Sequence, residues 1–211
     1  MRRLNVIGLH NMFLNEHGFR FNLAKMSFTK DFREGQQVII IDLHRYPEES
    51  FLEYRIGIKI NAVEDLIQKF LPSISDYFER SITLIKGIDQ LSDKFPRKIS
   101  IKSEEDLSKA IALGKEFFLE NGFDWMDQMS NPVILEGYYA NRREEVFNAN
   151  QSVYNLFRGA TLAKLYKPTD YPTIKQAYLE QVKRNEMTPF TIAFFLQLLD
   201  YLDHLEVKLS S

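Results

Sequence analysis

Apolar residues alternate at a period near two between Phe19 and Ile60, and from about Leu107 they recur at intervals of three and four. The first rhythm puts every second side chain on one face of a strand, and the second builds a stripe along a helix. The chain is therefore expected to be α+β, with an N-terminal antiparallel sheet of about four strands and flanking helices, followed by a C-terminal all-helical layer. The change of rhythm predicts a sheet lobe over residues 1–102 and a helical lobe over 103–211 packed against it. No stretch rich in Pro, Gly or Ser separates them, so they are expected to form one continuous structural unit.

The pattern also predicts the individual elements. Residues 3–16 read as a short helix with an apolar stripe of Leu4, Ile7 and Met12, ended by Gly18 in a left-handed conformation. Phe19, Phe21 and Leu23 open a strand whose phase slips near Ala24-Lys25, where a bulge is expected before Met26 and Phe28. Glu34-Gly35 marks a hairpin turn. Val38 to Ile41 is apolar on both faces, as in a central strand covered on each side, and Tyr46-Pro47 ends it. In the next strand Leu52, Tyr54, Ile56, Ile58 and Ile60 share one face. Asn61 with Glu64 reads as a capping box opening a helix that runs to about Phe70 and is interrupted at Pro72.

Asp76 to Arg80 reads as a helical turn, Ile82 to Ile85 as a strand, and Ile99 to Ile101 as an edge strand. Ser103 and Asp106 cap a helix whose face, made by Leu107, Ala110, Ile111, Phe117 and Phe118, ends near Gly122. Asn131-Pro132 marks a break, and helices follow over about 133–143, 147–166, 172–184 and 189–205. The last opens on Thr188-Pro189, a cap followed by proline in the first turn. Its apolar residues cover more than one face, which suits a central place in the bundle or burial by a second copy of the chain.

Composition narrows the function classes. The 211 residues are 45% hydrophobic and include 17 Phe, ample for a real core. There is no cysteine, which excludes disulfides, thiolate metal sites, Fe–S clusters and a cysteine nucleophile together, and suits a reducing compartment. Asn5, His10, Asn11, Asn15 and Glu16 interrupt the N-terminal stretch, so it does not read as a secretory leader, and no apolar run is long enough to span a membrane. A soluble, cytoplasmic protein is expected. Residues 103–145 carry ten acids against four bases, and residues 158–184 carry six bases against two acids. Acidic and basic segments of one helical half pair with each other or lie on opposite faces. This charge pattern disfavours nucleic acid as a partner.

The candidate chemistry is sparse. Asp42 and His44, two apart on a strand, share a face, with Glu53 and Arg55 on the neighbouring strand. A carboxylate orienting an imidazole is the usual start of general-base catalysis, and cross-strand ion pairing is the competing account. These four are the weak catalytic candidates. The four histidines lack metal-ligand spacing, and solvated or singly hydrogen-bonded imidazoles are expected, with no metal. Asp124, Asp127 and Glu136 gather around Trp125 in what reads as a linker between helices, where a solvated acidic turn is expected. Arg142-Arg143 and Glu144-Glu145, followed by Asn148 and Asn150, read as a solvated, salt-bridged helix face. Lys164, Tyr166, Lys167, Tyr171, Lys175 and Tyr178 interleave bases with aromatics as single-strand binders do, although the tyrosines recur at core spacing. Phosphate-cradling glycine motifs and GxSxG are absent, and no cofactor is expected.

One resemblance adds to this reading. The helix ending in Gly18-Phe19, the strand carrying Arg20 and Phe21, the apolar strand from Gln37 to Leu43, and Tyr54-Arg55-Ile56-Gly57-Ile58 together resemble an uncharacterised bacterial family of the domain-of-unknown-function kind. The likeness covers residues 5–65, rests on generic positions, and assigns no functional residue. Some such families are similar to immunity proteins, which neutralise a toxin by binding it. The resemblance thus implies a non-catalytic protein-binding module. Against it stand a small-molecule hydrolase or transferase using the carboxylate and His candidates, and a structural homodimer formed through the 189–205 helix.

Overall fold

The computed structural model describes residues 3–71, 78–142, 152–184 and 187–206. The break at Pro72, the start of the turn at Asp76, and the run from Arg143 to Asn150 lie outside these. The fold is α+β: an N-terminal antiparallel sheet flanked by helices, and a C-terminal helical region. Two compact units share the chain. A sheet unit takes residues 1–59 and 84–130, and a helical unit takes 60–83 and 131–211. Residues 103–130 thus group with the sheet, and residues 60–83 with the C-terminal helices, so the division does not fall between 102 and 103.

The sheet unit begins with helix α1 (Arg3–Glu16). Its buried stripe is Val6, Ile7, His10 and Leu14, whereas Leu4 and Met12, expected inside, are exposed. The helix ends as expected: Gly18 has φ +86°, its N–H reaches the carbonyl of Asn15, and the N–H of Phe19 reaches that of Leu14. This pair of bonds satisfies carbonyls the last turn would otherwise leave bare, in a conformation that glycine adopts without a Cβ penalty. Phe19 is delivered into the core.

Strands β1 (Arg20–Asn22), β2 (Ser27–Phe32), β3 (Gly35–Arg45) and β4 (Ser50–Ile60) follow. The slip near Ala24-Lys25 is not a bulge. It is a turn between two antiparallel strands, with Phe21 opposite Phe28 and Met26 at φ 49°. The next hairpin turns on Arg33-Glu34, and Gly35 already pairs with Phe32. In β3, Val38 to Ile41 are all buried, and in β4 the alternating Leu52, Tyr54, Ile56, Ile58 and Ile60 are buried together. Two short strands, β5 (Leu84–Gly87) and β6 (Ile99–Ile101), both pair antiparallel with β4, giving six strands among the described residues where about four were expected.

Helix α3 (Glu104–Phe117) carries the expected Ser103–Asp106 capping box. It does not stop at Gly122. A π turn (Phe118–Gly122) carries it into α4 (Phe123–Met129), so the supposed linker around Trp125 is helical. Phe13, Phe118, Phe123 and His17 stack near one another, with the His17 ring 4.4 Å from Phe123.

Gly114 of α3 sits against the Tyr54 ring, where an added Cβ would lie 2.5 Å from Cζ. Gly→Ala in a helix ordinarily adds up to about 1 kcal/mol of stability. Here overpacking reverses the sign, and Gly114→Ala is expected to lose about 1–3 kcal/mol in urea unfolding followed by the fluorescence of Trp125, which lies in this unit. A stabilised variant would contradict that contact.

The helical unit contains α2 (Asn61–Gln68), α5 (Pro132–Asn141), α6 (Ser152–Tyr166), α7 (Tyr171–Arg184) and α8 (Pro189–His204). Asn61 does not cap α2; Ile60 occupies that position with no side-chain cap, and Glu64 is used elsewhere. Asn131 and Thr188 do cap the helices that open on Pro132 and Pro189. Ile67, Leu156, Phe157, Ala160, Tyr178, Phe195 and Leu202 form the centre of the helical core.

Candidate functional site

The four candidate residues lie on β3 and β4, where they sort into two ion-paired sets. Arg55 Nη2 lies 2.5 Å from one carboxylate oxygen of Asp42, and Arg3 Nη2 lies 2.8 Å from the other. Arg3 also donates to the carbonyls of Ile41 and Met26, at 2.8 and 3.2 Å, so it ties α1 to the sheet and to the first hairpin turn. His44 and Arg97 each approach Glu53 at 3.5 Å, on different oxygens. Asp42 therefore does not orient His44. Asp42 holds two arginines and Glu53 holds Arg97 beside the His44 imidazole, and the Arg55–Asp42 and His44–Glu53 contacts are the cross-strand pairs. The geometry joins backbone elements.

The remaining sequence candidates disperse. Asp127 accepts from Gln37 at 2.7 Å on the surface of α4. Glu136 belongs to α5 of the other unit, where it is buried and ion-paired to Lys167 at 2.7 Å. The acidic turn around Trp125 thus does not form. Tyr171 and Tyr178 are core residues, Lys164 lies over the Tyr171 ring, and Lys175 pairs with Asp203. The interleaved bases and aromatics are therefore a helix-packing pattern. Among the described residues no group of three or more His, Asp or Glu could hold a metal ion, and no helix is long and apolar enough to cross a membrane.

Two buried polar constellations escaped the sequence reading. In the sheet unit, His10 is fully buried, although a solvated or singly bonded imidazole was expected. Its Nδ1 lies 2.8 Å from the Val6 carbonyl and its Nε2 lies 2.7 Å from the Tyr54 hydroxyl. A carbonyl can only accept, so Nδ1 carries the proton and Nε2 accepts from Tyr54. Burial lowers the His10 pKa to about 4, Lys115 adds to this, and the Val6 bond opposes it. Burial likewise pushes the Tyr54 hydroxyl well up. The pair is a neutral pin between α1 and β4.

In the helical unit, Arg158 on α6 and Glu64 on α2 are both buried and form a two-pronged ion pair at 2.9 and 3.0 Å. Thr83 donates to the same Glu64 at 2.7 Å and accepts from the Ile60 N–H at 2.9 Å. Arg158 also reaches the Arg80 carbonyl, and Tyr139 donates to the carbonyl of Thr83. This network closes the two ends of the 60–83 excursion onto α5 and α6. The signal lay in the chain: Arg158 stands alone in the apolar run from Leu156 to Ala163, and Thr83 stands between Ile82 and Leu84. A lone cation in a buried helix face calls for a buried acid.

Two of the clefts lined by described residues lie in the helical unit. One, about 480 Å³, is lined by Phe70, Gln197, Asp200, Tyr201, His204, Leu205 and Glu206. The other, about 300 Å³, is lined by Lys164, Tyr171, Lys175 and Asp203 among others. Burial works against the Asp203 carboxylate, but bonds from Lys175 and Tyr171 outweigh it and hold its pKa below the usual range. Comparison with known proteins finds no matching family model, no matching curated protein and no matching solved structure.

Proposed function

We propose that this protein acts by binding another protein, as a non-catalytic module in the bacterial cytoplasm, in the manner of an immunity protein that neutralises its target. One observation carries the reading: the outward side of α1 presents Leu4, Leu9 and Met12, and from Leu4 to Asn15 the helix has no Asp, Glu, Lys or Arg. Ordinary surface helices place charge on the solvent side, whereas depletion of charge around exposed Leu and Met marks the centre of a contact surface. Asn5 and Asn11 supply uncharged hydrogen-bonding groups on the same side. The ion pairing of Asp42 and Glu53 supports the same reading, since the acids a catalyst would use are engaged in holding α1 and the strands together.

Affinity capture from the source cells with the full chain is expected to recover one partner in stoichiometric amount. Leu9→Asp combined with Met12→Asp, both on the solvent side, is expected to weaken that complex at least about thirtyfold, the factor corresponding to about 2 kcal/mol at a contact hot spot. A stoichiometric partner held equally by both chains, or none at all, rejects the proposal.

A further inference from the structure

Met12 brings a reactive atom to the outward side of α1. The chain contains no cysteine, so its most readily oxidised atoms are thioether sulfurs. Burial sorts these sulfurs. Met126 and Met129 lie buried in α4, Met26 and Met187 are half-buried, and Met12 is 74% exposed. Among the described residues it is the one methionine in full contact with solvent.

The helix around it adds no shield. Side chains on a helix lean toward its N-terminus, over the residue four positions earlier, which for Met12 is Gly8. Gly8 has no side chain, and no atom lies within 4 Å of where its Cβ would sit. Asn5, Leu9 and Asn15, exposed or half-exposed neighbours on the helix, carry no charge. Glu16 is the nearest exposed acid along α1, and it stands one turn beyond Met12 on the C-terminal side.

We infer that Met12 is a reversible oxidation site at which a peroxide switches the outward side of α1 from apolar to polar. A lone pair of its Sδ attacks one peroxide oxygen. The S–O bond forms as the O–O bond breaks, and the sulfur loses two electrons to the peroxide. The departing oxygen takes the proton of the attacked one and leaves as water from hydrogen peroxide, or as an alcohol from an alkyl peroxide. The sulfoxide is a strong hydrogen-bond acceptor that Leu4 and Leu9 cannot satisfy. A thiol-dependent sulfoxide reductase removes the oxygen again. The consequence for binding rests on the α1 contact proposed above, where burying this acceptor without a donor is expected to weaken the complex at least about tenfold.

Peptide mass mapping of the full chain in dilute hydrogen peroxide tests the site without any partner. Met12 is expected to gain one oxygen at least about tenfold faster than Met126 or Met129, and ahead of Met26 and Met187, with unchanged circular dichroism. The two epimer-specific reductases together are expected to remove it. Oxidation of Met12 no faster than of the buried methionines would overturn the inference and leave the binding reading standing. Affinity capture from source-cell extract then compares the untreated, oxidised and reductase-repaired chains. The oxidised chain is expected to hold at most about a tenth of the partner, and the repaired chain to regain it. Met12→Leu, measured against its own untreated baseline, is expected to be insensitive to peroxide. Equal capture by the untreated and oxidised chains, or a loss of capture in peroxide-treated Met12→Leu, would overturn the inference. An untreated chain that captures nothing rejects the α1 reading and this inference with it.

Discussion

Glu64→Ala is expected to destabilise the helical unit by about 3–5 kcal/mol, the loss incurred when one member of a buried ion pair is removed. Arg158 is fully buried, and Glu64 gives it two bonds that no water can replace. Coulomb attraction to Glu64 keeps the guanidinium charged, against the pull of burial. Without the acid, a cation stays in the core, and Thr83 loses the acceptor of its hydroxyl. Guanidinium unfolding followed by circular dichroism measures the loss. The ion pair itself adds little net stability, because desolvation offsets most of the attraction. Glu64→Leu with Arg158→Met is therefore expected to recover most of what Glu64→Ala loses. A Glu64→Ala chain as stable as the original would remove the network from any structural role.

Acid is expected to weaken the sheet unit through His10. Its pKa falls from 6.5 unfolded to about 4 folded, so the unfolded chain binds the proton first. The stabilisation from keeping His10 neutral is fully present above pH 6.5 and is lost as the pH falls toward 4. The slope is about 1.4 kcal/mol per pH unit, or about 3 kcal/mol across the window. Carboxylates titrate at the lower end of this range, so the comparison is made against His10→Gln, which has no imidazole. Urea midpoints read by Trp125 fluorescence are expected to fall more steeply with acid in the original chain than in the variant. Parallel pH profiles would show that His10 is not kept neutral by its burial.

Periodicity made much of the fold legible. The alternation from Leu52 to Ile60, the four-residue apolar run in β3, the glycine stop at Gly18, and the Ser103 and Thr188 caps all depend on nearest neighbours, and each lies where the pattern placed it. The misreadings share a cause. The first-helix stripe was assigned by apolarity, but the side that faces the sheet is set by what Tyr54 and the neighbouring strands present, and that brings polar His10 inside and leaves Leu4 and Met12 out. Asn61 and Glu64 have capping-box spacing, yet an acid 94 residues from Arg158 in sequence is drawn to it. Of the site candidates, cross-strand pairing around Asp42 and Glu53 was legible from β-register alone. The arginines that complete it, Arg3 and Arg97, lie outside the two strands, and no local pattern points to them.

By itself the sequence determined that this is an α+β chain, where most of its strands and helices begin and end, and that thiol chemistry is closed to it. Those properties follow from side-chain period, capping and composition, which act within a few residues. Only the tertiary structure decided that residues 60–83 join the C-terminal helices, that His10 is held neutral, that Arg158 finds Glu64, and which apolar side chains of α1 and α8 remain outside. Each of these depends on burial between segments far apart in the chain, and burial is a property of the packed molecule.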